Sequence, residues 1–261
     1  MKRVLYAFIA AVVAIAFSSC NMIEGDPVTE NFSIDGPYTE LRVSDAFDIT
    51  VSDEVDQAVI TCGSNVMSRV IVETSGGKLR IYLKNWMAVS SAIKVQLPYN
   101  PALTDVVLSG ASEFYSEFGL KGQAISVDVS GASDFEANME ATDEISLSAS
   151  GSSSIKGVIA AKDMDVELSG ASDAILEGEV GSLSIDLSGA SNICKVIAGS
   201  QYALSCNECR GSISGSSHAY LQSNGNIKVS VSGSSSLHFT GTAFTGDCST
   251  SGSSDLIHDK L

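Results

Sequence analysis

Three features of the sequence predict an all-β chain made of stacked repeats. The motif Ser-Gly-(Ala/Ser)-Ser occurs eight times, at nearly even spacing. Apolar and polar residues alternate with a period of two before each motif, and helical periodicity is absent after the signal-like N-terminus. A repeat of about 19 residues with this pattern is typical of a single-stranded parallel β-helix, in which each repeat forms one coil. The eight glycines are Gly110, Gly131, Gly151, Gly170, Gly189, Gly215, Gly233 and Gly252.

The beginning of the chain has the pattern of an export signal. Lys2 and Arg3 precede an apolar stretch from Val4 to Phe17, which is too short for a stable membrane span. The four residues from Phe17 to Cys20 resemble a bacterial lipobox, so we expect residues 1–19 to be a cleaved signal peptide and Cys20 to be lipidated. Acyl chains on Cys20 would anchor the protein at a membrane. The alternative is an ordinary cleaved signal followed by an incidental cysteine.

Charge and composition restrict the possible partners. Residues 20–30 lack apolar periodicity and include Glu24, Asp26 and Glu30, which predicts an acidic tether. The chain has 15 Lys and Arg against 31 Asp and Glu, a net charge of −16, and removal of residues 1–19 makes it −18 because only two basic residues are lost. Such an acidic protein repels nucleic acid, so we expect no nucleic-acid partner. With 44% hydrophobic residues, the chain is not expected to be disordered.

Residues 101–261 form the regular part of the repeat. The residues four and two positions before each glycine are mostly apolar, as Val166 and Leu168 are before Gly170, whereas Glu167 between them faces outward. Another apolar residue usually follows four positions after the glycine. Each repeat therefore predicts a strand, a turn, a second shorter strand and a loop. We expect the glycine to have a positive φ and the serine hydroxyls to satisfy turn amides.

Two regions depart from this regularity. The interval between Gly189 and Gly215 exceeds the usual repeat of about 19 residues by about seven, and alignment of the repeats predicts that Cys206–Ser212 protrude as a loop. Residues 31–100 lack the motif but contain strand-like stretches at residues 47–51, 70–72, 79–83 and 93–97, with a tight turn expected at Gly76-Gly77. We expect residues 31–100 to be degenerate β-coils that cap the repeats, and a separate small β-domain is the alternative.

The order of these segments resembles a known bacterial family, the auto-transporter adhesin, head GIN domain family. The resemblance depends on the lipoprotein signal, the stretch Phe47-Asp-Ile-Thr-Val51, the strand Lys78-Leu-Arg-Ile-Tyr-Leu83, the segment Val95-Gln-Leu-Pro98 and the repeated Leu-Ser-Gly-Ala-Ser. It covers nearly the whole mature chain. The family has Ser-Gly-Ala-Gly where this chain has Ser-Gly-Ala-Ser or Ser-Gly-Ser-Ser. The resemblance implies a right-handed parallel β-helix and an adhesive role.

The cysteines offer a disulfide as one candidate feature. Cys206 and Cys209 have the Cys-x-x-Cys spacing, but the sequence has no second pair for a zinc site and no βαβ context for a thioredoxin-like site. We expect a disulfide between Cys206 and Cys209, or from one of them to Cys194. We expect no metal and no cofactor. Cys248 stands at an inward position and is expected to be buried.

A polar row is the candidate binding feature. The residues three positions after each glycine are polar or acidic and would stack along one edge of the coils. Asp and Asn at a turn also bond local amides, so this row is compatible with a purely structural role. A ligand role would involve sugar hydroxyls, with Tyr202, Tyr220 and Phe239 as an aromatic platform. The candidate ligand residues are Glu113, Asp134, Asp173, Asn192 and Asp255.

Catalytic and histidine-based sites are less well supported. Asp128, Glu167 and Asp186 share an outward row, as plain surface alternation would place them, and the sequence contains no recognisable nucleophile and base. The three histidines are evenly spaced along the chain but occupy different positions relative to their glycines. We therefore expect no catalytic residues. The sequence favours a non-catalytic lipoprotein of the cell envelope, located at the outer membrane, that acts as an adhesin or ligand-binding protein. Its expected partner is a glycan or a surface protein. The alternatives are a purely structural envelope protein that assembles through its coil edges and, less favoured, a polysaccharide-active enzyme.

Overall fold

The computed structural model describes residues 25–85, 89, 91–193 and 203–259. Over these ranges the chain is all-β, and its one helix is the single turn α1 (Ser64–Met67). The expected signal peptide and Cys20 lie outside the described residues. In the described part of the chain, no helix is both long and apolar enough to cross a membrane.

Eighteen described strands belong to one hydrogen-bonded network. The strands before the first repeat turn are β1 (Pro27–Phe32), β2 (Glu40–Val43), β3 (Phe47–Ser52), β4 (Ala58–Gly63), β5 (Val70–Ser75), β6 (Lys78–Leu83), β7 (Ile93–Pro98) and β8 (Asp105–Leu108). The remaining strands are β9 (Glu113–Val129), β10 (Asp134–Ala149), β11 (Ser154–Leu168), β12 (Asp173–Leu187), β13 (Asn192–Ile193), β14 (Leu204–Ile213), β15 (His218–Gly233), β16 (Ser236–Thr240), β17 (Ser249–Gly252) and β18 (Asp255–His258).

Residues one repeat apart are neighbours in parallel pairs of strands, as the sequence predicts. Phe135 of β10 pairs with Phe114 of β9 on one side and with Ile155 of β11 on the other. The same register continues from β12 through β13 and β14 to β15. β15 then pairs in parallel with β16 and β17, and β16 pairs with β18. Strands β9 to β12 run through both halves of the repeat, and β10 turns the corner with a register shift between Glu140 and Glu144.

The glycine turns form a column of closely stacked backbone. All eight repeat glycines have a positive φ, between 76° and 84°. A Cβ atom added to Gly151 would lie 2.4 Å from the carbonyl oxygen of Gly131, so no larger side chain fits between successive turns. Each turn donates a hydrogen bond to the one before it, as Ser152 N does to Gly131 O at 2.7 Å. The glycine therefore satisfies both the conformation and the spacing of the turn.

Asp45 occupies the first position of this column although it is not a glycine. Its φ is 82°, and its carbonyl oxygen accepts a hydrogen bond from Ala111 N at 2.6 Å, as the repeat glycines do for the turns that follow them. The side-chain oxygen Oδ2 of Asp45 accepts a hydrogen bond from Leu83 N at 2.9 Å. Aspartate enters the left-handed region more readily than most residues, and these two hydrogen bonds to other parts of the chain fix Asp45 in this conformation.

The core is formed by the inward residues that the alternation indicates. Val166 and Leu168 are buried before their turn, and Ala174 is buried after it. The rings of Phe114 and Phe135 stack with their centroids 5.2 Å apart. The last serine of the turn is almost completely buried in seven of the eight repeats, and in several of them its hydroxyl donates to the carbonyl three residues earlier. These serines are Ser112, Ser133, Ser153, Ser172, Ser191, Ser217 and Ser235.

The prediction of a protruding loop at residues 206–212 is wrong. These residues belong to β14, which pairs with β12 from Gly178↔Leu204 to Leu187↔Ile213. Paired residues are 19 positions apart at Ala174↔Ile193 and 26 positions apart at Gly178↔Leu204. The seven extra residues therefore lie between Ile193 and Leu204. Cys206 and Cys209 fill inward positions of β14, because a thiol packs like a small apolar side chain.

The N-terminal strands stack on the repeats, but not in chain order. β2 lies between β6 and β8, and β3 lies between β7 and β9, with all four pairs parallel. β4 pairs antiparallel with β1 and β7, and β5 pairs antiparallel with β6 through the tight turn at Gly76-Gly77. β1 begins at Pro27, inside the expected tether, because Pro27–Phe32 pairs along the edge of β4.

Candidate functional site

The polar residues three positions after the repeat glycines form one continuous row. Asp134 lies between Glu113 and Ser154, and Asp173 lies between Ser154 and Asn192, each in register on adjacent strands. The row continues to the last repeat through three further residues. These are His218, Ser236 and Asp255.

The members of this row differ in exposure and in hydrogen bonding. Asn192 is only 8% exposed, and its Nδ2 donates to Asp173 Oδ1 at 2.7 Å. His218 Nδ1 lies 2.7 Å from Ser236 Oγ. Asp134 is exposed, but neighbouring groups displace part of the water around its carboxyl, and this desolvation raises its pKa above the ordinary value. Several members of the row therefore stabilise one another, as the structural interpretation of the row requires.

A groove lies directly beside the polar row on four successive repeats. Outward residues five and seven positions after the glycines line a cavity of about 340 Å³. Tyr115 and Val158 are 47% and 48% exposed, so they present apolar surface to solvent. The lining residues in these two positions are Tyr115, Glu117, Glu136, Asn138, Lys156, Val158, Ile175 and Glu177.

Three polar side chains of this cavity, those of Glu136, Lys156 and Asn138, are held by neighbours. Lys156 Nζ lies 3.0 Å from Glu136 Oε1 across adjacent strands. The side-chain oxygen of Asn138 accepts a hydrogen bond from Val158 N at 3.0 Å. The cavity thus combines exposed apolar faces with polar groups in defined positions.

A second cavity of about 320 Å³ continues the first, because both are lined by Asn138 and Val158. Lys121 Nζ lies 2.8 Å from Glu140 Oε2 at its edge. The hydrogen bond with this lysine lowers the pKa of Glu140 below its ordinary value. Phe118, which also lines this cavity, stacks on Tyr99 with a centroid distance of 4.7 Å. We call the two cavities together the groove.

Tyr220 and Phe239, two of the three aromatic residues singled out from the sequence, do not line the groove. Phe239 is only 3% exposed and belongs to the core. Tyr220 stacks on His238 with a centroid distance of 4.6 Å, and Tyr202 lies outside the described residues. The aromatics of the groove, Tyr115 and Phe118, were not identified from the sequence. The outward position of Tyr115 in the alternation was the available signal.

Acidic residues also gather at the corner of the central repeats. Glu144 is paired in register with Asp163. The pKa of Glu144 is raised because Asp165 hydrogen-bonds to it and both groups carry the same charge when ionised. Gln123 Nε2 donates to Asp143 Oδ2 at 2.8 Å. Among the residues that the structure describes, no group of three or more His, Cys, Asp or Glu side chains is arranged to hold a metal ion.

The outward row of Asp128, Glu167 and Asp186 is interrupted by Ser148, which pairs with both Asp128 and Glu167. Asp186 accepts a hydrogen bond from Ser212 Oγ. The three histidines stand in three different rows, because His218 pairs with Ser236, His238 pairs with Tyr220 and His258 pairs with Phe239. The row assignments expected from the sequence are therefore correct.

Comparison with protein families gives a match over most of the chain. The model of the family described as "putative auto-transporter adhesin, head GIN domain" matches residues 37–158 and 141–243. The chain belongs to this head GIN family. No curated protein matches the chain significantly.

Solved structures agree with this head GIN assignment at the level of the fold. A putative adhesin from Parabacteroides merdae has a TM-score of 0.77 and 15% identity, over 90% of this chain and 97% of its own. A putative lipid binding protein from Parabacteroides distasonis has a TM-score of 0.76 and 18% identity, over 90% of this chain and 98% of its own. A putative adhesin from Bacteroides fragilis has a TM-score of 0.63 and 16% identity, over 90% of this chain and 97% of its own.

Proposed function

We propose that this protein is a non-catalytic adhesin of the cell envelope that binds a neutral glycan in the groove. In this proposal the strands form a right-handed, single-stranded parallel β-helix, and lipid on Cys20 holds it at the outer membrane. The family match and the parallel register of successive repeats support the fold. The basic and apolar pattern of residues 1–20 supports export and lipidation.

The groove is the observation that carries the ligand-binding proposal. Its exposed Tyr115 offers a flat ring on which the apolar face of a sugar can pack. Carboxylate, ammonium and amide groups beside the ring can bond sugar hydroxyls. Glu136 is paired with Lys156, and Glu140 is paired with Lys121, so lysines neutralise these two groove carboxylates.

The charge of the protein favours a neutral glycan over an acidic one. The net charge of −16 repels anionic polymers at a distance, as it repels nucleic acid. The polar row beside the groove adds Glu113 and Asp134, both exposed, to the same side of the repeats. Acidic polysaccharides would therefore meet repulsion at the site.

A glycan array tests this proposal directly. The soluble fragment Asn21–Leu261, which contains all the described strands, should bind neutral saccharides on the array. Tyr115→Ala should weaken binding to the best saccharide roughly 10-fold, as loss of a central aromatic residue does in other interfaces. Tyr82→Ala is the matched control, since Tyr82 lies on β6 outside the groove and should leave binding unchanged.

Three results would contradict the proposal. The first is an array without any bound saccharide, and the second is equal binding by the Tyr115→Ala and Tyr82→Ala variants. The third is release of shortened products from a polysaccharide, which would establish an enzyme. Far-ultraviolet circular dichroism of each variant separates loss of the groove from loss of the fold.

A purely architectural role is the second candidate, and the last repeat favours it. Among the described strands, β17 pairs only with β15, and β18 pairs only with β16, so both leave an open edge. Phe244 is 64% exposed near this end. Open strand edges allow assembly between chains. Concentration-dependent multimers that Ile257→Pro abolishes would support this role, and a monomer at all concentrations would contradict it.

A further inference from the structure

The last repeat leaves its end of the core uncovered. Thr250 of β17 pairs with Val231, and Leu256 of β18 pairs with Leu237. Val231 and Leu237 are 1% and 0% exposed, whereas Thr250 is exposed and Leu256 is half-buried in the same inward rows. Among the described strands, none pairs with the far side of β17 or β18. The inward side chains of the last repeat therefore lack the layer that covers each earlier repeat.

The core is covered at the opposite end of the molecule. α1 connects β4 to β5 there, and its Val66 and Met67 are 1% and 4% exposed and belong to the core. The outer strands at this end, β1 and β5, run antiparallel to β4 and β6. The uncovered end of a second molecule therefore finds no exposed core to extend here.

Charge is distributed as unevenly as the exposed core. Residues 113–187, from β9 to β12, contain 15 Asp and Glu against three Lys, a net charge of −12. Residues 211–258 contain only Asp247, Asp255 and Lys228 as charged residues, a net charge of −1. Two copies of the chain thus repel each other along their central repeats, but hardly at all at their last repeats.

We propose that the last repeat binds the last repeat of a second copy, so that two molecules form a closed pair. A twofold axis brings identical surfaces together, so the open edges of β17 and β18 pair with the same strands of the second copy. The pair covers both uncovered core ends, and growth stops at two molecules. Open-ended assembly through the coil edges needs an accepting surface at each end, which the covered end does not provide.

The pair carries its two tethers at opposite ends. Ser64 N, at the start of α1, donates to Asp26 O at 2.9 Å, so the first described residues lie beside α1 at the covered end. With the lipid on Cys20 proposed above, the two molecules of a pair belong to facing membranes, and the pair bridges them. The pairing itself depends on neither the lipid nor the groove.

Sedimentation equilibrium of the Asn21–Leu261 fragment tests the pairing. Its mass should rise with concentration from that of one chain and stop at twice that value. Thr250→Asp places like charges on both uncovered ends, so it should raise the dissociation constant by roughly 10-fold or more. Ser75→Asp adds the same charge at an exposed residue of β5, at the covered end, and is the matched control.

Charge reversal separates pairing from folding. Thr250→Lys should weaken pairing as Thr250→Asp does, and an equimolar mixture of the two variants should pair again, because opposite charges then meet across the twofold axis. Small-angle X-ray scattering shows how the molecules are joined. The pair should have nearly twice the maximum dimension of the monomeric Thr250→Asp variant.

Four results would overturn the proposal. They are a monomer at all concentrations, a mass that rises beyond two chains, a pair no longer than the monomer, and no recovery in the mixture of Thr250 variants. Equal weakening by Thr250→Asp and Ser75→Asp would also exclude the last repeat as the contact. None of these measurements involves the groove, so a failure of the glycan proposal leaves them unchanged.

Discussion

Replacement of Gly151 by alanine tests the close stacking of the repeat turns. The residue has a φ of 82°, and an alanine Cβ would lie 2.4 Å from Gly131 O. The left-handed conformation alone costs an alanine about 1–2 kcal/mol. The neighbouring turn must also move, although its carbonyl is held by a 2.7 Å hydrogen bond from Ser152 N. We expect Gly151→Ala to lower the free energy of unfolding by about 2–4 kcal/mol in total.

Gly76 provides the control for backbone strain. It also has a positive φ, of 60°, but no atom lies within 4 Å of its added Cβ. Gly76→Ala should therefore cost only the conformational part, about 1–2 kcal/mol. Urea unfolding followed by circular dichroism gives both free energies, and equal m-values would show that the two variants unfold from comparable states.

The difference between the two variants measures the contact between turns. Gly252→Ala should give a smaller loss than Gly151→Ala, because its added Cβ would lie 2.9 Å from Gly233 O at the end of the column. Equal losses for Gly151→Ala and Gly76→Ala would refute the reasoning. The turns would then be strained individually but not stacked.

Three further substitutions test the core, the serine turns and the acidic corner. Phe135→Ala should lower the free energy of unfolding by about 3–5 kcal/mol in urea melts, because the ring is fully buried. Phe244 is 64% exposed, so Phe244→Ala is the control and should change this free energy by less than about 0.5 kcal/mol. Ser172→Ala removes a buried hydroxyl that donates a 2.8 Å hydrogen bond, so the free energy of unfolding measured by thermal unfolding should fall by about 1 kcal/mol. Ser152 is exposed, and an equal loss in Ser152→Ala would contradict this expectation. The raised pKa of Glu144 means that the folded state binds its proton more tightly than the unfolded state, so stability should fall as pH rises through that pKa. Glu144→Gln should reduce this fall, which begins as the pH rises above the ordinary pKa of glutamate, and an unchanged pH profile of the urea midpoint would contradict the assignment.

Much of the architecture follows from local patterns in the sequence. Alternation with period two identifies the inward residues of a strand, because successive side chains point to opposite faces. This predicts the burial of Val166, Leu168 and Phe135, and the spacing of the glycines predicts their neighbours. The positive φ of the glycines follows from the same motif, since only glycine adopts it at little cost.

The sequence-based predictions of strand pairing fail where the local pattern of apolar and polar residues is compatible with two registers. Alignment of the repeats predicts that the seven extra residues of the long interval are Cys206–Ser212, whereas the register changes between Ile193 and Leu204. Both alignments place polar residues outward, and only pairing with β12 distinguishes them. The order in which β2 and β3 stack between later strands is also invisible locally, since each strand has the same alternation in any order.

The candidate site divides in the same way. The polar row follows from the register of the strands, so the spacing from the glycine is enough to predict that Asp134 and Asp173 lie in one row. The groove depends on how neighbouring rows of side chains form a concave surface, and the sequence contains no measure of that shape. Tyr115 and Phe118 were therefore missed, while Phe239 was considered although it is buried.

The sequence by itself determined that this protein is built of β-strands, that its turns recur at a nearly constant interval, which side chains form the core, and which family it resembles. These properties depend on residues that are close in sequence or on a constant repeat, so they can be predicted from the sequence directly. The tertiary structure alone decided the stacking order of the N-terminal strands, the position of the extra residues and the shape of the groove. Each of these is settled by packing between segments that are distant in sequence, and packing selects one arrangement among several that the local pattern permits equally.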